Sequence, residues 1–308
     1  TKGLESLPAE INMRLGLSAT PERVNDPIGT SAVMNYFGDV CYEYSMKQAM
    51  KDGHLSPYRC YNILVTLTDT EQEEYLELTH RIAAMSYQLF DKDKEIGLSL
   101  ELLLIKRAKL IANAENKIAA LDNVLNNLTI PLEKAIFYCG EGMAENEVGM
   151  TSSQIDSVTE LVGRRHQKRV RQFTFREKPS EREEIIRDLK NNSLDGVVAI
   201  RCLDEGIDLP EMSMGFFLAS SSNPRQFIQR RGRLLRKADG KERAIIYDFI
   251  IEPPDFGGEL DANAFNMERK LFKRELKRVS EFCRLAENGA QEMEKLLPLR
   301  IKYNLLSV

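Results

Sequence analysis

Gly196-Val197-Val198-Ala199-Ile200-Arg201-Cys202-Leu203-Asp204-Glu205-Gly206-Ile207-Asp208-Leu209-Pro210 decides the fold class of this chain. Five apolar residues without alternation describe a strand buried on both faces, which is the condition of a strand inside a parallel sheet. The charged, glycine-containing segment behind it describes the loop leaving that strand's carboxyl end. Similar short apolar runs recur on either side: Ala135 to Cys139, Gln172 to Phe175, Gly215 to Ala219 and Ala244 to Ile250. Helical patterns separate them, one carrying Arg164, Arg165, Lys168 and Arg169, and another opening at Ser180-Glu181-Arg182-Glu183 and reaching about Lys190. Strands alternating with helices predict an α/β domain whose parallel sheet is covered by helices on both faces.

In such a sheet ligands bind at the loops beyond the carboxyl ends of the strands. The loop Arg201 to Pro210 therefore belongs with the segment after the next strand, Gln229-Arg230-Arg231-Gly232-Arg233-Leu234-Leu235-Arg236. Ser222-Asn223-Pro224 reads as a helix start, with a polar cap and a proline in the first turn. Helical periodicity puts Arg225, Gln226, Gln229, Arg230, Arg233 and Arg236 on one arc and Phe227, Ile228, Leu234 and Leu235 on the other. Arg231 projects near the apolar arc and needs an explanation of its own. No Asp or Glu occurs from Met212 to Ala238. Most charge runs are solvated faces with carboxylates elsewhere in the fold, but so dense a set of rigid five-donor forks suits phosphate better than scattered ion pairs. In the loop, Asp208 suits a ribose hydroxyl, and Gly206 suits a close approach of backbone to phosphate. Asp204-Glu205 is not read as a magnesium-binding pair, because Arg201 and Cys202 separate it from the strand.

The rest of the chain reads as additions to this domain. Met13 to Ala19 forms a short apolar strand stopped by Pro21, and residues 25–70 form a polar connector. Thr68-x-x-Glu71 is a capping box. Tyr75, Leu78, Ile82, Met85 and Leu89, then Leu102, Ile105, Ala108, Ile111, Ala112, Ile118, Leu121, Val124 and Leu128, follow helical spacing on either side of Asp91-Lys92-Asp93-Lys94, so residues 71–128 read as a helical hairpin. Pro253-Pro254 and Gly257-Gly258 end the domain begun at 129. A long basic helix follows within 252–308, with Phe265, Phe272, Leu276, Val279 and Phe282 on its apolar side. Its Lys270, Lys273, Arg274, Lys277 and Arg278 alternate with Glu268, Glu275 and Glu281, as on an ordinary solvated face.

Composition sets outer limits. The 308 residues, 43% apolar, suffice for two domains or for one with large additions. A net charge of −4 confines any contact with a polyanion to local patches. Five widely spaced cysteines without a C-x-x-C pair, and three histidines, argue against a disulfide framework and a zinc site. No apolar run approaches the roughly 20 residues that cross a bilayer, and no signal peptide is recognisable, so a cytoplasmic location without membrane association is expected. The chain begins at Thr1 without methionine and reads as a piece of something longer.

Ser18-Ala19-Thr20, Phe137-Tyr138-Cys139, Leu203 to Pro210 and Gln229 to Arg236, in this order, resemble motifs III, IV, V and VI of superfamily 2 helicases of the DEAD/DEAH type, with the nearest likeness to XPB-like and restriction-type members. The resemblance covers residues 11–24 and 133–251. It implies that 1–24 ends a first RecA-like domain and that 129–251 is the second. Arg233 and Arg236 then look like arginine fingers reaching the γ-phosphate of an ATP held, with Mg2+, by the other domain. Gln229 and Arg230, with Gly206 and Asp208, would lie at the nucleotide, and Ser18 and Thr20 would couple it to nucleic acid. Thr174, Ser180, Arg182 and Arg201 would contact a nucleic-acid backbone, with DNA the expected kind. Ile200 stands where many relatives carry a threonine.

The implied whole is an ATP-dependent helicase or translocase, with restriction or repair proteins as expected partners. The chain contains no G-x-x-x-x-G-K-[ST] phosphate loop, since Gly240-Lys241 is followed by Glu242, so it is expected to be inactive alone. The alternative from another class is a non-catalytic helicase-like module that binds nucleic acid or a protein partner.

Overall fold

The structure, a computed structural model, describes residues 11, 13–18, 20–22, 26–85, 97–141, 143–145, 151–200, 212–220, 224–255 and 261–308, without the side chains of 143–145, 151, 152 and 224–226. Its centre is a six-stranded sheet built from β1 (Tyr58–Val65), β2 (Ala135–Tyr138), β5 (Val170–Phe173), β6 (Gly196–Ala199), β7 (Met214–Phe217) and β8 (Ala244–Ile251). The strands lie in the order β1-β8-β7-β2-β6-β5, and every neighbouring pair is parallel. A two-stranded antiparallel pair, β3 (Met143–Glu145) with β4 (Thr151–Ser153), stands apart. The inner strands β2, β6 and β7 are buried at all positions, as their unbroken apolar runs require.

Helices cover both faces. The first face buries Ile136, Tyr138, Val197 and Phe217 beneath α7 (Pro179–Lys190), α8 (Pro224–Leu235), α9 (Ala262–Cys283) and the short α10 (Gly289–Lys295) and α11 (Leu297–Lys302). On the second, Ala135, Phe137, Val198 and Phe216 pack under α5 (Asn116–Asn126) and α6 (Gln154–Glu160), with one π-helical turn over Leu161–Arg165 extending α6. Strand register aligns four rings into a ladder across this second face: Phe137 on Phe216 at 4.5 Å, Phe216 on Tyr247 at 4.9 Å, and Tyr247 on Tyr61 at 5.2 Å. Aromatic pairs at such separations add to area burial.

Three expectations change. The connector 25–70 holds two helices, α1 (Pro27–Phe37) and α2 (Met46–Lys51), and the edge strand β1, whose eight residues pair along the whole of β8. Arg59, Tyr61 and Asn62 obscure β1 in the sequence, because an edge strand alternates where an inner one does not. Second, Met13 to Ser18 lies in no strand, and Met13 and Leu17 are 90% and 88% exposed; no described residue offers that segment a neighbouring strand to pair with, and Ala19 lies outside the described residues. Third, the hairpin comprises α3 (Asp69–Ala84) and α4 (Leu98–Asn113), while the chain breaks at Ala114-Glu115 and α5 turns onto the sheet. The 91–94 turn lies outside the described residues.

The capping box at Thr68 and Glu71 forms in both directions. Helices α3 and α4 share their apolar seam with Ala264 and Met267 of α9. A buried trio ties the same three helices: Glu268 accepts from Tyr75 Oη at 2.5 Å and from Arg107 at 2.7 Å.

Between β2 and β5, strand β6 begins with Gly196, where a Cβ would stand 2.5 Å from the Ala135 carbonyl oxygen. That neighbour is backbone inside the sheet and cannot swing aside. Gly196→Ala is expected to destabilise the fold by about 1–3 kcal/mol, the usual cost of overpacking. Urea denaturation checks this, and an unchanged midpoint would refute it.

Candidate functional site

The carboxyl ends of β2 and β7 meet the arginine helix α8. Arg230, placed by periodicity on the exposed arc, is buried: its guanidinium lies 4.9 Å from the centre of the Tyr138 ring and donates to the Ala219 carbonyl at 3.3 Å. Arg231 is wholly buried. It donates to the Glu281 carbonyl at 2.6 Å and to the Glu281 carboxylate at 3.2 Å, over the Phe282 ring at 5.2 Å. The apolar arc thus conceals a cation because α9 brings it a carboxylate from fifty residues downstream. Phe227, Leu234 and Leu235 fill the remaining underside.

Gln229 and Arg233 are half-buried on α8, and Arg236 is exposed just past its end. Each of the two arginines has an interaction within the chain. The backbone of Arg236 bridges to Leu55. Lys241 Nζ closes the carboxyl end of α8, donating to the carbonyls of Leu234 and Arg236 at 2.5 and 2.9 Å as well as to Met212 at 2.7 Å. A cation at this end satisfies carbonyls that have no intrahelical partner.

A polar network underlies the same edge, and sequence reasoning did not anticipate it. Ser220, just beyond β7, donates to Asp248 of β8 at 2.8 Å, and Asp248 accepts from Arg278 of α9, whose other arm donates to Glu275 at 2.5 Å. Asp248 and Arg278 are each 1% exposed. Burial alone would lower the Arg278 pKa, but the Asp248 and Glu275 carboxylates outweigh it and hold the guanidinium above its ordinary value. Arg278 therefore does not belong to a solvated basic face. Its only sequence signal was Asp248, a lone acid in an apolar strand.

On the other side of β7, Lys117 of α5 is buried and donates to the carbonyls of Ile111 and Leu218, each at 2.6 Å. Its desolvation pulls the ammonium pKa down to about 8. Gly140 follows β2 closely packed: its N–H donates to Gln154 at 2.7 Å, and a Cβ there would meet Asn113 Oδ1 at 2.6 Å.

Thr174 lies in the turn from β5 into α7, and Ser180 and Arg182 lie at the start of α7. Thr174 is buried, its hydroxyl accepting from the Arg176 N–H at 3.1 Å, so it shapes the turn from within. Ser180 is exposed in the first turn of α7, and Arg182 is half-buried with its guanidinium 6.0 Å from the Phe173 ring centre. Phe175, between Thr174 and Ser180 in the chain, is 73% exposed. The Thr20 N–H donates to Ser18 Oγ at 3.1 Å. Arg201, Gly206 and Asp208 lie outside the described residues, as does the Ser222-Asn223 cap.

Among the described residues no group of three or more His, Cys, Asp or Glu side chains is placed to hold a metal ion, and no helix is long and apolar enough to cross a membrane.

Residues 117–238, from the start of α5 to just past α8, match the family model described as the helicase conserved C-terminal domain. The chain is 25% identical over 249 residues to the DNA 3'-5' translocase XPB2 of Sulfurisphaera tokodaii, covering 76% of this chain and 52% of that protein. It is 36% identical over 109 residues to UvrABC system protein B of Escherichia coli, covering 34% of this chain and 16% of that one. The chain thus spans about half the length of the first relative and far less of the second. A solved structure, the Sulfolobus solfataricus SWI2/SNF2 ATPase core in complex with dsDNA, aligns with a TM-score of 0.46 at 12% identity over 81% of this chain and 50% of that one.

Proposed function

We propose that this chain, which matches the helicase conserved C-terminal domain over residues 117–238, is the C-terminal portion of a superfamily 2 helicase and the second motor domain of an ATP-dependent DNA translocase or helicase. The observation that carries the proposal is the placement of α8. A basic helix meets the carboxyl ends of β2 and β7, anchored from beneath by Arg230 and Arg231, with Gln229 and Arg233 half-buried along it and Arg236 exposed just past its end. That is where a parallel sheet meets ligands, and a row of guanidiniums suits the outer phosphates of a nucleotide.

The chemistry is divided between two domains. This one has neither a phosphate loop nor, among its described residues, an acidic cluster for a metal. ATP and Mg2+ are assigned to the other RecA-like domain, where the metal would neutralise charge on the phosphates. Arg233 and Arg236 supply positive charge to the γ-phosphate as it transfers, and Gln229 orients the helix at the nucleotide. Arg230 acts from below, holding α8 on Tyr138 and the end of β7. Gly206 and Asp208 of the 201–210 loop are assigned to the nucleotide side. Ser18 and Thr20 couple the two ligands. Closure of the domains on ATP and their reopening after hydrolysis would advance the chain along DNA.

Ser180, Arg182 and Arg201 are assigned to the DNA backbone, with Thr174 shaping the turn that presents the first two. In the full-length protein, ATP hydrolysis should rise when duplex DNA is added. Arg182→Ala should weaken DNA binding about equally for all sequences and lower the slope of log affinity against log salt by about 1. Salt-titrated binding isotherms read this directly. DNA binding without any ATP hydrolysis would instead establish the non-catalytic module.

A further inference from the structure

Cys60 in β1 and Cys283, the last residue of α9, are 223 positions apart in the chain, yet their sulfurs lie 3.5 Å from each other in the interior. The backbone around both is held in place. The Asn288 side chain accepts from the Cys60 N–H at 3.0 Å and donates to the Cys60 carbonyl at 2.6 Å, while Tyr58 Oη donates to the Phe282 carbonyl at 2.6 Å. Asn62 Nδ2 lies 3.6 Å from Cys283 Sγ, directed as a donor. The remaining described cysteines lack such a partner: Cys139 is buried with its thiol pKa pushed up by desolvation, and Cys41 is exposed.

We propose that Cys60 and Cys283 are a redox-responsive pair, which a hydroperoxide converts to a disulfide that fastens the C-terminal helix to the edge of the sheet. The two sulfurs have different roles. Hydrogen bonds from the Cys60 thiol and the Asn62 amide favour the Cys283 thiolate against its burial, and the same bond raises Cys60. The buried carboxylates of Asp248 and Glu292 oppose both ionisations.

Cys283 thiolate attacks the terminal peroxide oxygen. The O–O bond breaks, the alkoxide takes a proton and leaves as the alcohol, or as water when the oxidant is hydrogen peroxide, and Cys283 becomes the sulfenic acid. The Cys60 sulfur then attacks the Cys283 sulfur, the S–O bond breaks, and hydroxide leaves as water with the Cys60 proton. The pair is oxidised by two electrons and the peroxide is reduced by two. The sulfurs need only close from 3.5 Å to about 2.05 Å. Opening of the turn after Cys283, where the Arg284 side chain is 66% exposed, admits the oxidant by local unfolding.

The test uses the full-length protein, treated with hydrogen peroxide, alkylated under denaturing conditions and digested without reductant. The expected result is a peptide pair joining Cys60 to Cys283, a chain lighter by about 2 Da, reversal by dithiothreitol, and a melting temperature several degrees higher in the oxidised protein. In Cys60→Ser, Cys283 should stop at the sulfenic acid and be trapped by dimedone. Alkylation of both thiols after oxidation, a cross-link made elsewhere, or progression of Cys283 to the sulfinic acid in the wild type would each overturn the proposal. The wild-type peptide map decides the matter even if the serine variant does not fold.

Discussion

Arg233→Ala in the full-length protein is expected to lower ATP turnover by about 10³-fold or more while leaving nucleotide affinity nearly unchanged. The reasoning separates binding from the reaction. Under the proposed division of labour, a phosphate loop in the other domain would grip the triphosphate in ground and transition states alike, whereas a guanidinium brought from a second domain would matter most as charge spreads over the transferring phosphoryl group. Loss confined to turnover is the signature of such a group. Arg236→Ala, just beyond the end of α8, should behave likewise. Single-turnover hydrolysis together with binding of a fluorescent nucleotide separates the two quantities. Turnover at the wild-type rate in both variants would remove these arginines from the reaction.

The second large effect is on stability. Arg278→Ala should cost about 3–5 kcal/mol, because Asp248 stays buried and ionisable with its partner gone. The same substitution on a solvated helix face would cost a few tenths, so denaturant titration distinguishes the two environments clearly. Replacing both groups, with Arg278→Met and Asp248→Leu together, should recover most of the loss, since an apolar pair of similar volume avoids the desolvation penalty. A loss below about 1 kcal/mol in the single variant would mean that the ion pair does not hold β8 and α9 together.

These two cases also show what the sequence can and cannot disclose. Unbroken apolar runs at Ala135, Gly196 and Met214 announce inner parallel strands, because a strand covered on both faces has no polar side to alternate with. Strand β1 escapes that rule, since Arg59 and Glu287 pair at the rim, 3.2 Å apart, where water reaches them. No glycine or proline marks the break before helix α5, so its helical spacing runs on from that of the hairpin. The absence of acids around α8 was a correct local observation with a non-local remedy. Glu281 reaches Arg231 only once α9 has folded back, and periodicity along one helix carries no information about what a distant helix delivers. Arg230 sat on the border between the two arcs, and the Tyr138 ring decided its side. The roles expected of Gly206 and Asp208 rest on residue type, on placement after a buried strand and on resemblance, and both residues lie outside the described ones.

The C-terminal segment has one more effect, on how the molecule can associate. An edge strand with open N–H and C=O groups is a template on which another chain can add a strand. On β1, Asn288 occupies both backbone groups of Cys60, the Glu292 carboxylate accepts from the Asn62 N–H at 2.7 Å, and the Tyr58 carbonyl accepts from the Glu287 N–H at 2.9 Å. Side chains and one backbone N–H thus occupy positions that a seventh strand would otherwise use. Growth of the sheet by lateral addition is obstructed from Tyr58 to Asn62 on that flank, so the C-terminal segment keeps one copy of this sheet from adding to another.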